Sequence, residues 1–313
     1  MILMSVFATF RFETLMPNPV RPRLISARVQ DIAPKKFYNP IRFDTITAKD
    51  KVVLFDERSV LIQRNDQNEL IIPSFCELKE QKEEKFQYAF SIDQTRYFIK
   101  KAEYMQEKEQ VEGYSYEALS TIRQLISKEI CFAVMSAWHL AGWYRDNRFC
   151  GRCATTTIHS QKERMLYCPD CGNMIYPKIA PAVIIGVVDR DRLLLSKYAG
   201  REYKKYALLA GFTEFGETAE ETVAREVFEE VGLHIGKPKY YKSQPWGIDS
   251  NILYGFFVSL NGEAKISLDP NELSLAEWHE RGKIPAADDG ISLTREMIGF
   301  FEDKERFETW FFD

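Results

Sequence analysis

The sequence has no apolar stretch long enough to cross a membrane. The longest mostly apolar run, from Cys131 to Tyr144, has 14 residues and contains His139, whereas a membrane-spanning helix needs about 20. The apolar start of the chain is interrupted by Arg11, and no basic residue precedes it, so we expect no signal peptide. These features predict a cytoplasmic protein without a membrane segment.

The sequence also lacks an excess of charge, and it has few cysteines. Its 42 basic and 46 acidic residues give a net charge of -4, which provides no global reason to expect nucleic-acid binding. Of its 6 cysteines, Cys76 and Cys131 stand apart, and we interpret them as buried small apolar residues rather than reactive thiols. The remaining four form two CxxC pairs, which is typical of metal binding in a reducing compartment.

Changes in composition divide the first half of the chain into two segments. Residues 1–28 carry prolines and arginines without a sustained period, and we interpret them as an extension. Residues 29–146 begin with short apolar runs separated by charged turns, which indicates strands. Apolar residues then recur at helical spacing within residues 114–147. We therefore expect a β-rich N-terminal domain closed by a helix.

Residues 147–176 contain both CxxC pairs, with 14 residues between them. Four thiolates on two tight turns can surround one tetrahedral ion, and Zn²⁺ is the usual occupant of such a site. A redox pair would need one CxxC at a helix start, and two disulfides would need a secreted protein. We expect a structural zinc site, because four thiolates leave no position open for chemistry. Its ligands are Cys150, Cys153, Cys168 and Cys171.

Residues 177–313 alternate between strands and helices. Apolar runs around the turn at residues 189–191 indicate two strands. A helix then begins at Thr218, which can form a capping box with Glu221, and it ends before Gly232. The chain closes with a second helical pattern from Ser292 to the final phenylalanines.

The helix after Thr218 is unusually acidic. Positions three and four apart place three carboxylates on one face, namely those of Glu226, Glu229 and Glu230. The Glu217 side chain can reach the same face of the helix. Arg225 can pair with Glu221 or Glu229. A solvated acidic face explains only the charge of this helix. A bound hard cation, Mg²⁺ or Mn²⁺, also explains the spacing and the glycine-containing loop before the helix.

Residues 211–233 resemble the Nudix box, G-x5-E-x7-R-E-U-x-E-E-x-G-U, where U is aliphatic. The match covers every defined position: Gly211, Glu217, Arg225, Glu226, Val227, Glu229, Glu230, Gly232 and Leu233. The resemblance implies an α/β/α sandwich with a mixed sheet, of the α+β or α/β class. It also implies hydrolysis of a diphosphate linked to another moiety, supported by Mg²⁺ or Mn²⁺.

The order of zinc ribbon, box and "SQPW" is similar to that of the NADH pyrophosphatase family. The resemblance implies metal ligands at Glu226, Glu229, Glu230 and Glu272, with catalytic roles for Glu229, Glu230, Arg225 and Glu217. It implies a homodimer in which Phe212 and Tyr176, contributed by different copies, sandwich the nicotinamide. The substrate-binding residues that it implies are Tyr176, Glu163, Ala210, Phe212, Gln244, Trp246, Asn251 and Thr294.

The chain departs from this family after Trp246. The family continues with Pro-Phe-Pro and then a serine, whereas this chain has Gly247, Ile248 and Asp249, with Asn251 at the serine position. We expect Gly247 to make the loop more flexible and Asp249 to add a charge beside an anionic substrate.

Three functions remain open at this point. The first is hydrolysis of NADH or NAD⁺ to AMP and nicotinamide mononucleotide, with NAD-capped RNA ends as further substrates. The second keeps the hydrolysis but changes the substrate, for instance to ADP-ribose or another dinucleotide. The third is a zinc-ribbon regulator that senses a nucleotide without cleaving it, which the complete set of glutamates disfavours.

Overall fold

The computed structural model describes residues 28–67, 69–122, 127–200, 205–285 and 290–313. The interpretation of residues 1–28 as an extension therefore falls almost entirely outside the described residues. Within the described ranges, no helix is long and apolar enough to cross a membrane. The chain forms a β-rich N-terminal domain, a small ribbon and a larger domain built on a mixed sheet.

The N-terminal domain contains two small sheets. Its strands are β1 (Phe37–Tyr38), β2 (Lys51–Val53), β3 (Phe55–Asp56), β4 (Ser59–Arg64), β5 (Leu70–Ile71), β6 (Phe86–Ile92), β7 (Thr95–Lys100) and β8 (Ser115–Ala118). One sheet has the order β1-β6-β7-β2, and the other has β3-β4-β5 with β8 also paired to β4. The strands follow from short runs of β-branched and aromatic residues between charged turns. The prediction of a β-rich domain is confirmed.

The helical pattern at residues 114–147 is only partly a helix. The structure has β8 first, then helix α1 (Leu119–Ile122), then helix α2 (Lys128–Asp146). The helix prediction is wrong at residues 115–118, because four residues there pair with β4 and this tertiary pairing overrides the local periodicity. Helix α2 begins at Ser127, whose side chain accepts a hydrogen bond from the Ile130 backbone N–H. Residues 123–126 of the helical pattern lie outside the described residues.

The ribbon is a three-stranded antiparallel sheet. Its strands are β9 (Ile158–His159), β10 (Leu166–Tyr167) and β11 (Met174–Ile175), with β10 in the centre. Each strand has only two residues, so the sheet buries little apolar area. The first cysteine turn precedes the sheet, and the second connects β10 to β11.

The third domain is an α/β/α sandwich. Its elements are β12 (Ala180–Asp189), β13 (Arg192–Tyr198), β14 (Leu209–Phe212), α3 (Ala219–Val231), β15 (Lys239–Trp246), β16 (Asn251–Ser259), β17 (Leu273–Glu280), α4 (Leu293–Glu302) and α5 (Lys304–Phe312). The sheet order is β15-β16-β12-β13-β17, with β14 also on β12, and β12 runs parallel to β16. The predicted sandwich with a mixed sheet is confirmed.

The two faces of this sheet are covered by different helices. Val223, Val227 and Val231 of α3 pack on one face, and residues of α4 and α5 such as Met297 and Phe307 pack on the other. The single C-terminal helix expected from the sequence is interrupted at Asp303. That side chain caps α5 by accepting from the Arg306 backbone N–H at 3.3 Å.

The N-terminal domain and the sandwich share one apolar core. Trp246, Ile248 and Ile291 of the sandwich belong to the same buried cluster as α2. The indole of Trp138 donates to the Ile248 carbonyl at 3.2 Å, and the Val29 backbone N–H donates to the Ile291 carbonyl at 2.9 Å. The loop that follows Trp246 is therefore held by the N-terminal domain.

Candidate active site

Helix α3 carries the acidic residues, and both of its ends are fixed by local contacts. The Glu221 backbone N–H donates to Thr218 Oγ1 at 3.2 Å, and the Thr218 backbone N–H donates to Glu221 Oε2 at 2.7 Å. Gly232 ends the helix with a φ of 67°, which glycine adopts without strain. The predicted capping box and stop are confirmed. Glu221 is thereby committed to the cap, which explains why it does not pair with Arg225.

Strand β14 approaches α3 closely at Gly211. A Cβ on that residue would come within 1.9–2.3 Å of the Glu226 carboxyl group. Only glycine therefore leaves room for this carboxylate beside the strand. The close approach brings the Glu226 side chain, which is half-buried, against the end of the sheet.

Arg225 gathers three carboxylates. Its Nε donates to Glu217 Oε1 at 2.6 Å, and its Nη1 donates to Glu226 Oε1 at 2.8 Å and to Glu229 Oε2 at 2.9 Å. Its Nη2 donates to the Phe212 carbonyl at 3.0 Å. One guanidinium thus ties the loop, the strand and the helix together through charge-assisted hydrogen bonds.

Glu217 has two further partners that the sequence did not reveal, and one of them is the Glu214 backbone N–H, which donates to Oε2 at 3.1 Å. The hydroxyl of Thr222, which is fully buried, donates to Glu217 Oε2 at 3.0 Å. A small polar residue five positions after Glu217, on the otherwise apolar face of α3, is the available signal. Thr222 and Arg225 together hold Glu217 over the first turns of the helix.

The surroundings shift the pKa of Glu217 and the pKa of Glu226 in opposite directions. The hydrogen bonds from Arg225 lower the pKa of Glu217 to about 2. For Glu226 the largest effect is burial, which raises its pKa, and the nearby charges of Glu229 and Glu272 raise it further. A carboxylate that is desolvated and faces like charges gains from a divalent cation, because the cation offsets both costs.

The two other predicted metal ligands, Glu230 and Glu272, differ in their exposure to solvent. Glu230 is only 4% exposed, and its backbone carbonyl accepts from the Asp269 N–H at 3.0 Å. Glu272 is exposed in the loop before β17, close enough to influence the pKa of Glu226. The oxygen-rich donor set fits a hard cation such as the one implied by the box. The ligand roles of these glutamates stay predictions.

The four cysteines of the ribbon converge on one point. Their Sγ atoms all lie within 4.8 Å of one another, with 3.6 Å between Cys150 and Cys171 and 3.3 Å between Cys153 and Cys168. None of the four forms a disulfide. Tetrahedral zinc, with Zn–S bonds of about 2.3 Å, holds its thiolates roughly 3.8 Å apart. The arrangement therefore fits a closed zinc site.

The predicted stacking residues are both available at the surface. Phe212 is 54% exposed at the end of β14, and Tyr176 is 52% exposed after the ribbon. The Tyr176 hydroxyl donates to Glu163 Oε1 at 3.3 Å, which brings two of the predicted substrate residues together. Ala210 is partly buried in β14, and Thr294 lies in the first turn of α4.

Two of the four residues of "SQPW" are buried, namely its glutamine and its tryptophan. Gln244 is fully buried, and its side chain donates to the Ile291 carbonyl at 2.7 Å and accepts from the Leu293 N–H at 2.7 Å. The Trp246 indole donates to Asp249 Oδ2 at 3.1 Å. Asn251 is also buried at the start of β16. In this arrangement Gln244 and Trp246 shape the surrounding loops, and their contact with substrate stays a prediction.

The expectation that Gly247 makes this loop more flexible is wrong. Gly247 is buried, and a Cβ there would lie 2.2 Å from the Met135 carbonyl oxygen of α2. Asp249 is exposed and accepts a hydrogen bond from the Trp246 indole, and the charge that it adds beside the substrate stays a prediction. The loop is held against a helix of another domain, a contact that the local sequence does not show.

Comparisons with known proteins agree with this geometry. The NUDIX domain family matches residues 178–298, and the NADH pyrophosphatase zinc ribbon domain family matches residues 145–176. The NAD-capped RNA hydrolase NudC of Stutzerimonas stutzeri (strain A1501) is 33% identical over 191 residues, which cover 61% of this chain and 69% of that protein. The protein of the same name from Photorhabdus laumondii subsp. laumondii is 35% identical over 159 residues, or 51% of this chain and 62% of that protein.

Solved structures resemble the chain over a shorter part. The crystal structure of a NUDIX hydrolase from Nitrosomonas europaea is 21% identical and covers 50% of this chain and 92% of that chain, with a TM-score of 0.44.

Proposed function

This chain belongs to the Nudix hydrolases of the NADH pyrophosphatase family, and on that premise we propose that it hydrolyses the diphosphate of NADH and NAD⁺. The products are AMP and nicotinamide mononucleotide, and the NAD-capped end of an RNA is a further substrate. The observation that carries the proposal is the convergence of Glu217, Glu226 and Glu229 on Arg225. The names of the relatives from Stutzerimonas and Photorhabdus support the choice of substrate.

We assign Mg²⁺ or Mn²⁺ as the cofactor of this site, with Glu226, Glu229, Glu230 and Glu272 as the residues that hold it. When bound, the cation offsets the charge of the diphosphate and makes its phosphorus more electrophilic. Arg225 keeps the carboxylates in place through its hydrogen bonds. Glu229 or Glu230 accepts the proton of the attacking water. The ribbon cysteines hold a structural Zn²⁺, which stabilises the segment that carries Tyr176.

The nicotinamide side of the site requires a second copy of the chain in this proposal. Tyr176 is the stacking partner of Phe212 and comes from the other subunit of a homodimer. Exposed apolar side chains of the ribbon, such as Met174 and Phe149, support an interface on this face. Sedimentation at micromolar concentration should show a dimer, and a monomer would contradict this part. The ribbon cysteines form no disulfide, which suits the cytoplasm, where we place the protein.

A second candidate substrate is ADP-ribose or another dinucleotide. The loop at Gly247–Asp249 differs from that of the family and is held by α2, so its contribution to the nicotinamide pocket is changed. This loop lies outside the group of carboxylates around Arg225. The two candidates therefore share the chemistry and differ in the ring that the enzyme selects.

The proposal is tested by assaying purified protein with NADH, NAD⁺, ADP-ribose and diadenosine polyphosphates, each with Mg²⁺ and with Mn²⁺. Glu229→Gln should lower turnover by ~10²-fold or more without unfolding the protein. Glu220→Gln is the matched control, because Glu220 is exposed on the same helix outside this group, and it should retain activity. If Glu229→Gln remains as active as the control, the acidic face is not catalytic.

A further inference from the structure

Helix α2 presents one face to the start of the mixed sheet. Met135, Trp138 and His139 lie on this face, because residues three and four positions apart are neighbours on a helix. None of the three belongs to the group of carboxylates around Arg225 or to the predicted substrate residues. Each of them contacts a segment of the chain that leads into β12 or β16.

The first of these segments is the loop between β15 and β16. A Cβ on Gly247 would lie 2.2 Å from the Met135 carbonyl oxygen and 3.3 Å from the Cβ of His139. The Trp138 indole donates to the Ile248 carbonyl at 3.2 Å. The loop therefore packs against all three residues of the helix face.

The second segment is the linker at residues 177–179, which connects Tyr176 at the end of the ribbon to β12. His139 Nε2 lies 2.7 Å from the Lys178 carbonyl oxygen. A carbonyl oxygen can only accept, so Nε2 carries the proton and donates. Among the described residues, no other hydrogen bond reaches the linker. Lys178 and Ile179 are also exposed, so the linker depends on His139 for its position.

The linker and the loop meet at one row of the sheet. Ala180, the first residue of β12, is paired with Asn251, and Asn251 is paired with Trp246 on its other side. The Ala180 backbone N–H donates to the Ser250 carbonyl at 2.9 Å. The face of α2 thus holds the chain on both sides of a row that contains two predicted substrate residues.

The position of the linker determines how Tyr176 is presented. Only Pro177 separates Tyr176 from Lys178, and the proline ring restricts φ to about −65°. The Tyr176 hydroxyl donates to Glu163 Oε1 at 3.3 Å. Tyr176 is therefore held at the tip of its ring by the ribbon, and its backbone is held through Lys178 by α2.

We propose that His139 is a positioning residue for the nicotinamide side of the substrate. It acts through the Lys178 carbonyl, which fixes the linker and with it the direction of the Tyr176 ring. The inference rests on the proposed function, in which Tyr176 stacks on the nicotinamide. A linker that is free must be ordered when the substrate binds, and that cost weakens binding. The carboxylates around Arg225 keep their geometry, so the loss falls on KM and not on kcat.

The first test is steady-state kinetics of the full-length protein with NADH and Mg²⁺. His139→Leu should raise KM by ~2- to 10-fold, as expected for the loss of one hydrogen bond, and leave kcat unchanged. His139→Gln should restore KM, because its amide nitrogen can reach the position of Nε2. His139→Asn should not restore it, because its side chain is too short. His234→Leu, the same change at an exposed histidine that stacks on Phe228, is the matched control.

The second test is independent of catalysis. Hydrogen exchange, followed by mass spectrometry of peptides that contain Ala180, reports local opening where the linker enters β12. Exchange at Ala180 should be faster in His139→Leu than in wild type and should return to the wild-type rate in His139→Gln.

The two tests separate failure of this inference from failure of the proposed function. Exchange at the wild-type rate in His139→Leu overturns the inference, and so does an unchanged KM for NADH in that variant. A fall in kcat that glutamine does not rescue also overturns it, because His139 would then have only a structural role. If wild type does not hydrolyse NADH at all, the proposed function fails, and the role of His139 toward nicotinamide fails with it.

Discussion

The backbone of Gly247 lies directly against the carbonyl oxygen of Met135, which belongs to another domain and is more than a hundred residues earlier in the chain. A Cβ at position 247 would come to 2.2 Å from that oxygen. A backbone atom cannot move aside as the end of a side chain can. The contact couples the loop after Trp246 to helix α2, so the N-terminal domain determines the shape of a loop beside the candidate site.

The first prediction concerns this contact. Gly247→Ala should lower the free energy of unfolding by about 1–3 kcal/mol, since an added methyl group must displace backbone. For a domain of this size, that corresponds to a fall in Tm of roughly 2–4 °C per kcal/mol. Gly299→Ala is the control, because a Cβ at that exposed position of α4 meets no atom within 4 Å. Equal Tm values for the two variants in a calorimetric scan would contradict the contact.

The second prediction concerns pH. Arg225 lowers the pKa of Glu217 to about 2 in the folded protein, so the pair stabilises the fold above the ordinary glutamate pKa of about 4.3. This contribution is lost as the pH falls from that value toward 2. Glu217→Gln should therefore have a lower Tm than wild type at pH 7, and the difference should shrink at pH 3. A difference that does not change with pH would mean that the charge of Glu217 is unimportant.

The third prediction concerns substrate choice. Stacking on an aromatic side chain is worth about 1–3 kcal/mol per base, so Phe212→Ala should lower kcat/KM for NADH by ~10- to 150-fold. Hydrolysis of a diphosphate without the nicotinamide ring should change far less. Phe215→Ala is the matched control, since Phe215 is 98% exposed in the same loop. Equal effects of Phe212→Ala on both substrates would show that Phe212 does not select the ring.

The fourth prediction concerns the ribbon. Protein purified without chelator should contain about one zinc ion per chain. Cys168→Ser should release the metal and lower Tm, while the variant that remains folded should keep its catalytic chemistry. Cys76→Ser is the control, because Cys76 lies outside the cysteine cluster and is exposed, which shows that the expectation of a buried Cys76 was wrong. Metal analysis that finds no zinc in wild type would exclude the assignment.

The features that were predicted correctly from the sequence are those whose structure is determined by local contacts. The caps of α3 lie within one helical turn of the residues that they bind, so Thr218, Glu221 and Gly232 could be recognised directly. The convergence of the cysteines follows from two tight turns of fixed spacing. The sandwich fold was implied by the resemblance of residues 211–233 to the Nudix box.

Predictions from the sequence failed where the interacting residues are distant in the chain. The strand β8 was predicted as helix because its pairing with β4, more than fifty residues earlier, leaves no trace in its own periodicity. The same holds for Gly247, whose partner is in α2. Arg225 pairs with Glu229, one of its two expected partners, but the loop also brings Glu217 to it, which the sequence did not show.

The parallel pairing of β12 with β16 also constrains how the chain can fold during synthesis. Residues 180–188 are joined to partners at 251–259, so the central strand of the sheet lacks one neighbour until about seventy further residues have left the ribosome. Non-local pairing of this kind slows folding, and an unpaired central strand is prone to aggregate. A chain that ends before residue 251 would retain β13 and β14 as neighbours of β12 but expose the other edge of that strand. We expect such truncated chains to be insoluble, although they contain the whole acidic helix.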